Sequence, residues 1–211
     1  MSEPTRLKIC GNTTLEDARY AAGAMADYLG FIFFPGSPRF VSPAIAAEII
    51  GWIEGPEKVG VFVNQSVTEV NGIIDKTGID LAQLHGDETP EYARKIKKPV
   101  IKALRLKSKD DFQQLPRIIE EWQDVASYLL FDAFHAVKYG GTGEKSDWDA
   151  LSVNRPDFPF FLAGGITTDN VSEAVQKLRP FAIDLTSSLE STPGIKDLDK
   201  MERFFDRWHA L

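Results

Sequence analysis

Short, mostly apolar runs alternate along this chain with longer stretches of helical period. Eight runs read as strands: 7–10 (LKIC), 28–33 (YLGFIF), 59–63 (VGVFV), 81–86 (LAQLHG), 100–106 (VIKALRL), 127–133 (SYLLFDA), 159–164 (PFFLAG) and 181–186 (FAIDLT). Their apolar residues run on without polar alternation, which predicts strands covered on both faces, as in a parallel sheet. Between them, Leu15, Ala18, Ala22 and Met25 share a helical face behind Thr13 or Thr14 as N-cap. Val67, Val70, Ile73 and Ile74 form a second such face, and Val171, Ala174, Val175 and Leu178 a third behind Asp169. The chain closes on the stripe Leu198, Met201, Phe204, Phe205 and Trp208 behind Asp197. After the sixth strand only Trp148–Leu151 reads as helical, and glycine-rich loop fills the rest.

Eight strand–helix units within 211 residues predict an α/β fold, a single (β/α)8 TIM barrel over 1–211. No linker, low-complexity tract or charge block marks a second domain. A doubly wound open sheet has the same periodicity and stays open as an alternative.

Composition narrows the function classes. The net charge of −7 opposes a general affinity for nucleic acid or an anionic membrane, while leaving room for one local anion pocket. The apolar runs are far short of a membrane span, and the polar opening MSEPTRLK reads as no secretory leader. A single cysteine excludes an internal disulfide and fits a reducing compartment, so a cytoplasmic protein is expected.

A barrel builds its site at the C-terminal ends of its strands. Those ends carry Cys10 with Gly11, the loop through Arg39, Val63-Asn64, His85-Gly86, Arg105, Asp132, Gly164-Gly165 and Asp184 through Ser187. Three loops there suit a phosphate: GGTG at 140–143, with Gly141 and Gly143; AGG at 163–165, with Gly164 and Gly165; and DLTSS at 184–188, with Asp184, Thr186 and Ser187. Glycines let backbone N–H groups approach an anion, and hydroxyls add donors. GGTGEK lacks the Gly-Lys-Ser/Thr ending of a P-loop.

The remaining candidates each admit two readings. Cys10 is an inert small hydrophobe or, at a strand end, a thiol ionised by a favourable local field. Asp132 is a structural carboxylate or, partly desolvated after SYLLF, a general acid. Arg39, on a loop stiffened by Pro35 and Pro38, is a carboxylate clamp or one more solvated arginine. His85 has no second His or Cys nearby at metal spacing, so no metal site is expected.

The stretches KICGNTTLEDA (8–18), GFIFFPGSPRFVSP (30–43), VGVFVN (59–64), QLHGDE (83–88), IKA (101–103), GGTGEKSDW (140–148), LAGGIT..NV (162–171) and PGIKD (193–197) together resemble the phosphoribosylanthranilate isomerase family along nearly the whole chain. That resemblance implies an Amadori rearrangement of the small-molecule substrate N-(5-phosphoribosyl)anthranilate, in tryptophan biosynthesis. It makes Cys10 the general base, Asp132 the general acid and Arg39 the partner of the anthranilate carboxylate. Phosphate lies against the GGTG, AGG and strand-8 loops, and His85 joins the substrate-binding set. The iminium formed on ring opening is itself the electron sink, so no cofactor or metal is expected. No nucleic-acid or membrane partner is implied, and the protein is expected as a monomer or homodimer. Other phosphosugar barrels fit less well: an indole-glycerol-phosphate synthase would not open on KICG, and a ribulose-phosphate epimerase would want metal ligands. A non-catalytic phosphate-binding barrel would not be expected to keep both Cys10 and Asp132. Two departures stand out: Ser188 where the family has Gly, a source of strain if that position needs positive φ, and Phe131 where an aliphatic is common.

Overall fold

Every run read as a strand becomes one stave of a closed ring. The computed structural model describes residues 4–105, 109–132 and 147–211. Its strands are β1 (Arg6–Ile9), β2 (Tyr28–Ile32), β3 (Glu57–Phe62), β4 (Leu81–Leu84), β5 (Val100–Arg105), β6 (Tyr128–Asp132), β7 (Phe160–Ala163) and β8 (Ala182–Leu185). Each pairs in parallel with the next, and β8 closes on β1 with Lys8 opposite Asp184 and Ile9 opposite Leu185. Closure rules out the open doubly wound sheet. The helices outside the ring are α1 (Leu15–Gly23), α2 (Pro43–Gly51), α3 (Val67–Thr77), α4 (Pro90–Ala93), α5 (Lys109–Trp122), α6 (Asp147–Val153), α7 (Val171–Leu178) and α8 (Leu198–His209). After β8 come a 3₁₀ turn, Ser187–Leu189, and a small antiparallel pair, β9 (Glu190–Thr192) and β10 (Ile195–Lys196).

Side-chain oxygens at the helix starts set where each strand-to-helix loop ends. Thr14 accepts from Asp17 N–H, Ser42 from Ile45, Thr89 from Tyr92 and Asp197 from Lys200, and Ser66 with Glu69 forms a capping box. Each is worth about 1 kcal/mol. Two expectations shift. The cap position of α7 is Asn170, not Asp169, and the Asn170 side chain accepts from Thr167 N–H in the preceding turn rather than from the helix. Met25 does not extend the face of α1. Ala26 N–H bonds Ala21 O and Met25 N–H bonds Ala22 O, a Schellman ending that leaves Met25 left-handed at φ 66° and 75% exposed.

Strand side chains alternate between two apolar shells. Leu7, Ile9, Leu29, Phe31, Phe131 and Phe160 pack outward against the helices. Tyr28, Val59, Leu81, Ile101, Leu130 and Phe161 fill the ring near its N-terminal end. There Tyr128 stacks on Phe181 at 4.5 Å, and Arg6 donates to the Tyr28 hydroxyl while its guanidinium lies over Phe181. Further up, the interior turns polar: Lys8, Gln83 and Asp184 are buried in the ring, and Lys8 donates to both of the others. The apolar reading of the strands missed this layer, because each polar residue is a single inward position between outward hydrophobic ones.

Neither departure disturbs the backbone. Ser188 lies inside the 3₁₀ turn and is not among the residues with positive φ, so a Gly is not required there. Phe131 is buried beside Phe160, ring centroids 5.1 Å apart.

Candidate active site

Cys10 stands one residue past β1, its N–H still bonded to Leu185 O at 2.8 Å, and only 4% of it is exposed. Period two puts Lys8 on the same inward face. The Lys8 ammonium is fully buried and 2.7 Å from both Asp184 Oδ2 and Gln83 Oε1. Burial opposes its charge, but Asp184 and Cys10 hold the Lys8 pKa above the ordinary lysine value. A second buried ammonium, Lys196 from β10, donates to the Cys10 carbonyl at 2.6 Å and to the Thr186 carbonyl at 3.2 Å. Burial pushes the Cys10 thiol above its ordinary value; Lys8 pulls it back, Asp184 adds to the rise, and Lys196 again favours the thiolate. The thiol is therefore desolvated and held above its ordinary pKa, while Lys8 and Lys196 partly offset the cost of its thiolate. Gly30 of β2 makes room for it, since a Cβ there would lie 2.5 Å from Cys10 Sγ.

Arg39 is partly exposed but not loose. Its Nε lies 2.8 Å and 3.1 Å from the two Glu190 oxygens, and its Nη2 2.7 Å from Oε2. Burial raises the cost of charge on Glu190, yet Arg39 and Lys196 hold its carboxyl below the usual range. Arg39 is thus an oriented cation whose Nη1 edge takes no part in the Glu190 contact.

Across the ring, His85 follows β4, its Nδ1 3.0 Å from Gln83 Nε2 and its Nε2 3.7 Å from Asp132 Oδ2. Asp132 closes β6, its side chain about a quarter exposed. Nine sequence candidates converge on one pocket of about 250 Å³: Cys10, Arg39, His85, Asp132, Gly164, Gly165, Asp184, Thr186 and Ser187. Gly164 and Gly165 both have positive φ, 82° and 67°, so the AGG loop needs glycine twice. Asp184 Oδ1 is buried without a hydrogen-bond partner, an acceptor left over beside the pocket. Gly141 and Gly143 lie outside the described residues. A more open cavity of about 600 Å³ sits over the loops after β4 and β5 and shares only His85 with the first. It holds neither the thiol nor Asp132, and its buried ions, Lys102 and Glu88, pair at 3.0 Å.

Sequence reasoning missed Lys8, Gln83, Glu190 and Lys196. A signal existed for two of them, since Lys8 and Gln83 are lone polar residues inside strand runs. Lys196 lies in the matching stretch PGIKD, but nothing local assigns it or Glu190 a role, because both meet the site only when the segment after β8 folds back.

A family model described as N-(5'phosphoribosyl)anthranilate (PRA) isomerase matches residues 7–207. An N-(5'-phosphoribosyl)anthranilate isomerase from Geotalea uraniireducens (strain Rf4) is 45% identical over 208 residues, covering 98% of this chain and 100% of the relative. The crystal structure of phosphoribosyl anthranilate isomerase from Thermotoga maritima superposes with a TM-score of 0.85 at 34% identity, covering 98% of this chain and 100% of that one. A phosphoribosyl anthranilate isomerase solved in complex with reduced 1-(o-carboxyphenylamino)-1-deoxyribulose 5-phosphate gives 0.83 at 32% identity, with the same coverage.

Proposed function

The chain belongs to the N-(5'-phosphoribosyl)anthranilate isomerase family, and from that membership we propose how its own residues carry the reaction. It is an isomerase of tryptophan biosynthesis, converting phosphoribosylanthranilate to 1-(2-carboxyphenylamino)-1-deoxyribulose 5-phosphate. In our reading Asp132 gives a proton to the furanose oxygen, and the ring C1–O bond breaks as the anilino nitrogen forms a C1=N iminium. That cation acidifies the C2 proton, which the Cys10 thiolate removes, and the electrons form a C1=C2 enaminol. The ketone follows when C1 gains a proton and the 2-hydroxyl loses one. The observation that carries this reading is a buried thiol that lines the same pocket as Asp132, with the charges of Lys8 and Lys196 favouring its thiolate against burial and Asp184.

Arg39 binds the anthranilate carboxylate through the edge turned away from Glu190, and Asp184 Oδ1 accepts from a sugar hydroxyl. The phosphate rests on Gly164, Gly165, Thr186 and Ser187, with Gly141 and Gly143 added from outside the described residues. A base that is a lone thiol needs a reducing compartment, which supports the cytoplasm. Among the described residues no helix is long and apolar enough to cross a membrane. We take 1–211 as one functional domain, working as a monomer or homodimer.

Purified protein mixed with freshly made phosphoribosylanthranilate should abolish the substrate's fluorescence without added metal or nucleotide, and equally well after EDTA and dialysis. No fluorescence loss would overturn the activity. Loss on EDTA, restored by a divalent metal, would overturn the cofactor-free step.

Gly30→Ala tests the seat of the base. Its Cβ would meet Cys10 Sγ at 2.5 Å and Cys10 Cα at 3.0 Å, so the thiol or the strand must move. Misplacing a reacting group by 1 Å costs on the order of 10²-fold, and kcat should fall on that scale in a protein that keeps its far-UV spectrum. A variant with native kcat would mean that the thiol's position is not critical.

A further inference from the structure

We infer that Gln83 is a positioning residue: clamped by Lys8, it fixes His85 in the tautomer with hydrogen on Nε2 and aims that N–H at Asp132. Three contacts carry the inference. Lys8 Nζ lies 2.7 Å from Gln83 Oε1, Gln83 Nε2 lies 3.0 Å from His85 Nδ1, and His85 Nε2 lies 3.7 Å from Asp132 Oδ2.

The polarity of this chain follows from donors and acceptors alone. An ammonium only donates, so the Gln83 atom beside Lys8 must be its oxygen. The amide nitrogen is then the end that meets His85 and, being a donor only, requires a lone pair on Nδ1. The neutral ring therefore carries its hydrogen on Nε2, facing Asp132. Flipping the amide would set its N–H groups against the Lys8 ammonium, and a hydrogen on Nδ1 would set two donors against each other at 3.0 Å. Gln83 is 2% exposed and Lys8 fully buried, so water cannot relieve the first conflict, and the Gln83 amide has no room to turn to water in the second. Strand geometry supplies the spacing: Gln83 and His85 are two residues apart and point to the same side of β4.

The arrangement matters at one moment of the reaction, and here the inference rests on Asp132 as the acid. As Asp132 releases its proton it becomes a carboxylate, and an N–H already aimed at it favours the charge as it develops. At 3.7 Å the contact is longer than a hydrogen bond, and catalytic contacts of this kind tighten when substrate arrives. The opposite tautomer would present a lone pair to a forming anion. A wrong His tautomer costs about 10⁴-fold in the serine-protease triad, where the ring itself carries the proton. Here the ring acts through Asp132, so the loss should be closer to the roughly 10–100-fold seen when the partner orienting a metal-bound His is removed.

The test is the ¹⁵N spectrum of the His85 ring in the full-length protein, assigned with His85→Asn. The native ring should show an unprotonated Nδ1 and a protonated Nε2. In Gln83→Glu the carboxylate accepts from Lys8 and from His85 alike, so Nδ1 should become protonated, and kcat should fall roughly 10–100-fold with KM changing less. A protonated Nδ1 in the native protein overturns the inference, and that measurement needs no variant to fold. So does a Gln83→Glu protein that keeps the native ring spectrum or keeps kcat within about twofold. Asp132→Asn kinetics separate the two claims. If that variant turns over normally the acid assignment falls, while the native spectrum still decides what Gln83 does.

Discussion

Cys10→Ala should lower kcat by about 10²–10⁴-fold and leave KM nearly unchanged. General-base catalysis is typically worth that factor, and a base that acts only as the C2 proton leaves adds little to ground-state binding. Cys10→Ser should be nearly as poor, because a hydroxyl beside the same two ammonium groups still ionises too weakly to replace a thiolate. The environment adds a pH signature. Burial raises the Cys10 pKa, with Lys8 and Lys196 pulling it back, so the thiol is the majority form on the acid side of that raised value. The active thiolate is therefore lost as pH falls, but the same turnover needs Asp132 protonated, so kcat should pass through a bounded optimum rather than climb steadily with pH. The bland alternative is that Cys10 only packs. In that case alanine would lower Tm and leave turnover alone. An alanine variant retaining more than about a tenth of native kcat would return Cys10 to a packing role.

The ends of the strands were legible, and their interior layer was not. Cys10, Asp132, Arg39, the glycine loop after β7 and the hydroxyl-bearing loop after β8 are all at positions that the barrel rule singles out, and they share one pocket. Hydrophobic period located all eight strands because each outward residue packs against a helix. It could not show that Lys8 reaches Asp184, because those residues are 176 positions apart and meet only once β8 closes on β1. The same holds for Arg39 and Glu190, 151 positions apart. By itself Arg39 reads more readily as a solvated arginine, since nothing local reveals a carboxylate waiting in β9. Met25 fails for a different reason. It continues the helical period of α1, yet a Schellman ending takes over at that point, and the backbone hydrogen bonds of the turn outweigh the pattern. Ser188, where the family has Gly, would be strained only if the position needed positive φ, and the 3₁₀ turn does not require it.

Asp132→Asn and Arg39→Ala should give opposite kinetic signatures. Asp132 acts while the ring opens, so replacing its acid proton with an amide should collapse kcat by about 10²–10⁴-fold and leave KM little changed. Arg39 should hold the anthranilate carboxylate in ground and transition states alike, so its loss should mainly raise KM. A charge-assisted contact is worth roughly 1.5–3 kcal/mol, or ~10–150-fold in affinity. Glu190 sharpens this expectation. Its three contacts fix the guanidinium before substrate arrives, so Arg39 loses little freedom on binding and its contribution appears as affinity. The same contacts complicate the alanine variant. Removing Arg39 leaves the buried Glu190 with Lys196 at 3.4 Å as its remaining ion-pair partner, and a settling of the β9 segment would reach Cys10 through the Lys196 bond to its carbonyl. Part of any fall in kcat in Arg39→Ala would then come from the base. Equilibrium binding of the reduced product analogue to each variant separates these terms, because it involves no proton transfer. Arg39→Ala should bind it ~10–150-fold more weakly, and Asp132→Asn nearly as tightly as the native protein. Should Asp132→Asn abolish binding while Arg39→Ala keeps it, the two roles are reversed, and the carboxylate clamp must be sought elsewhere around the pocket.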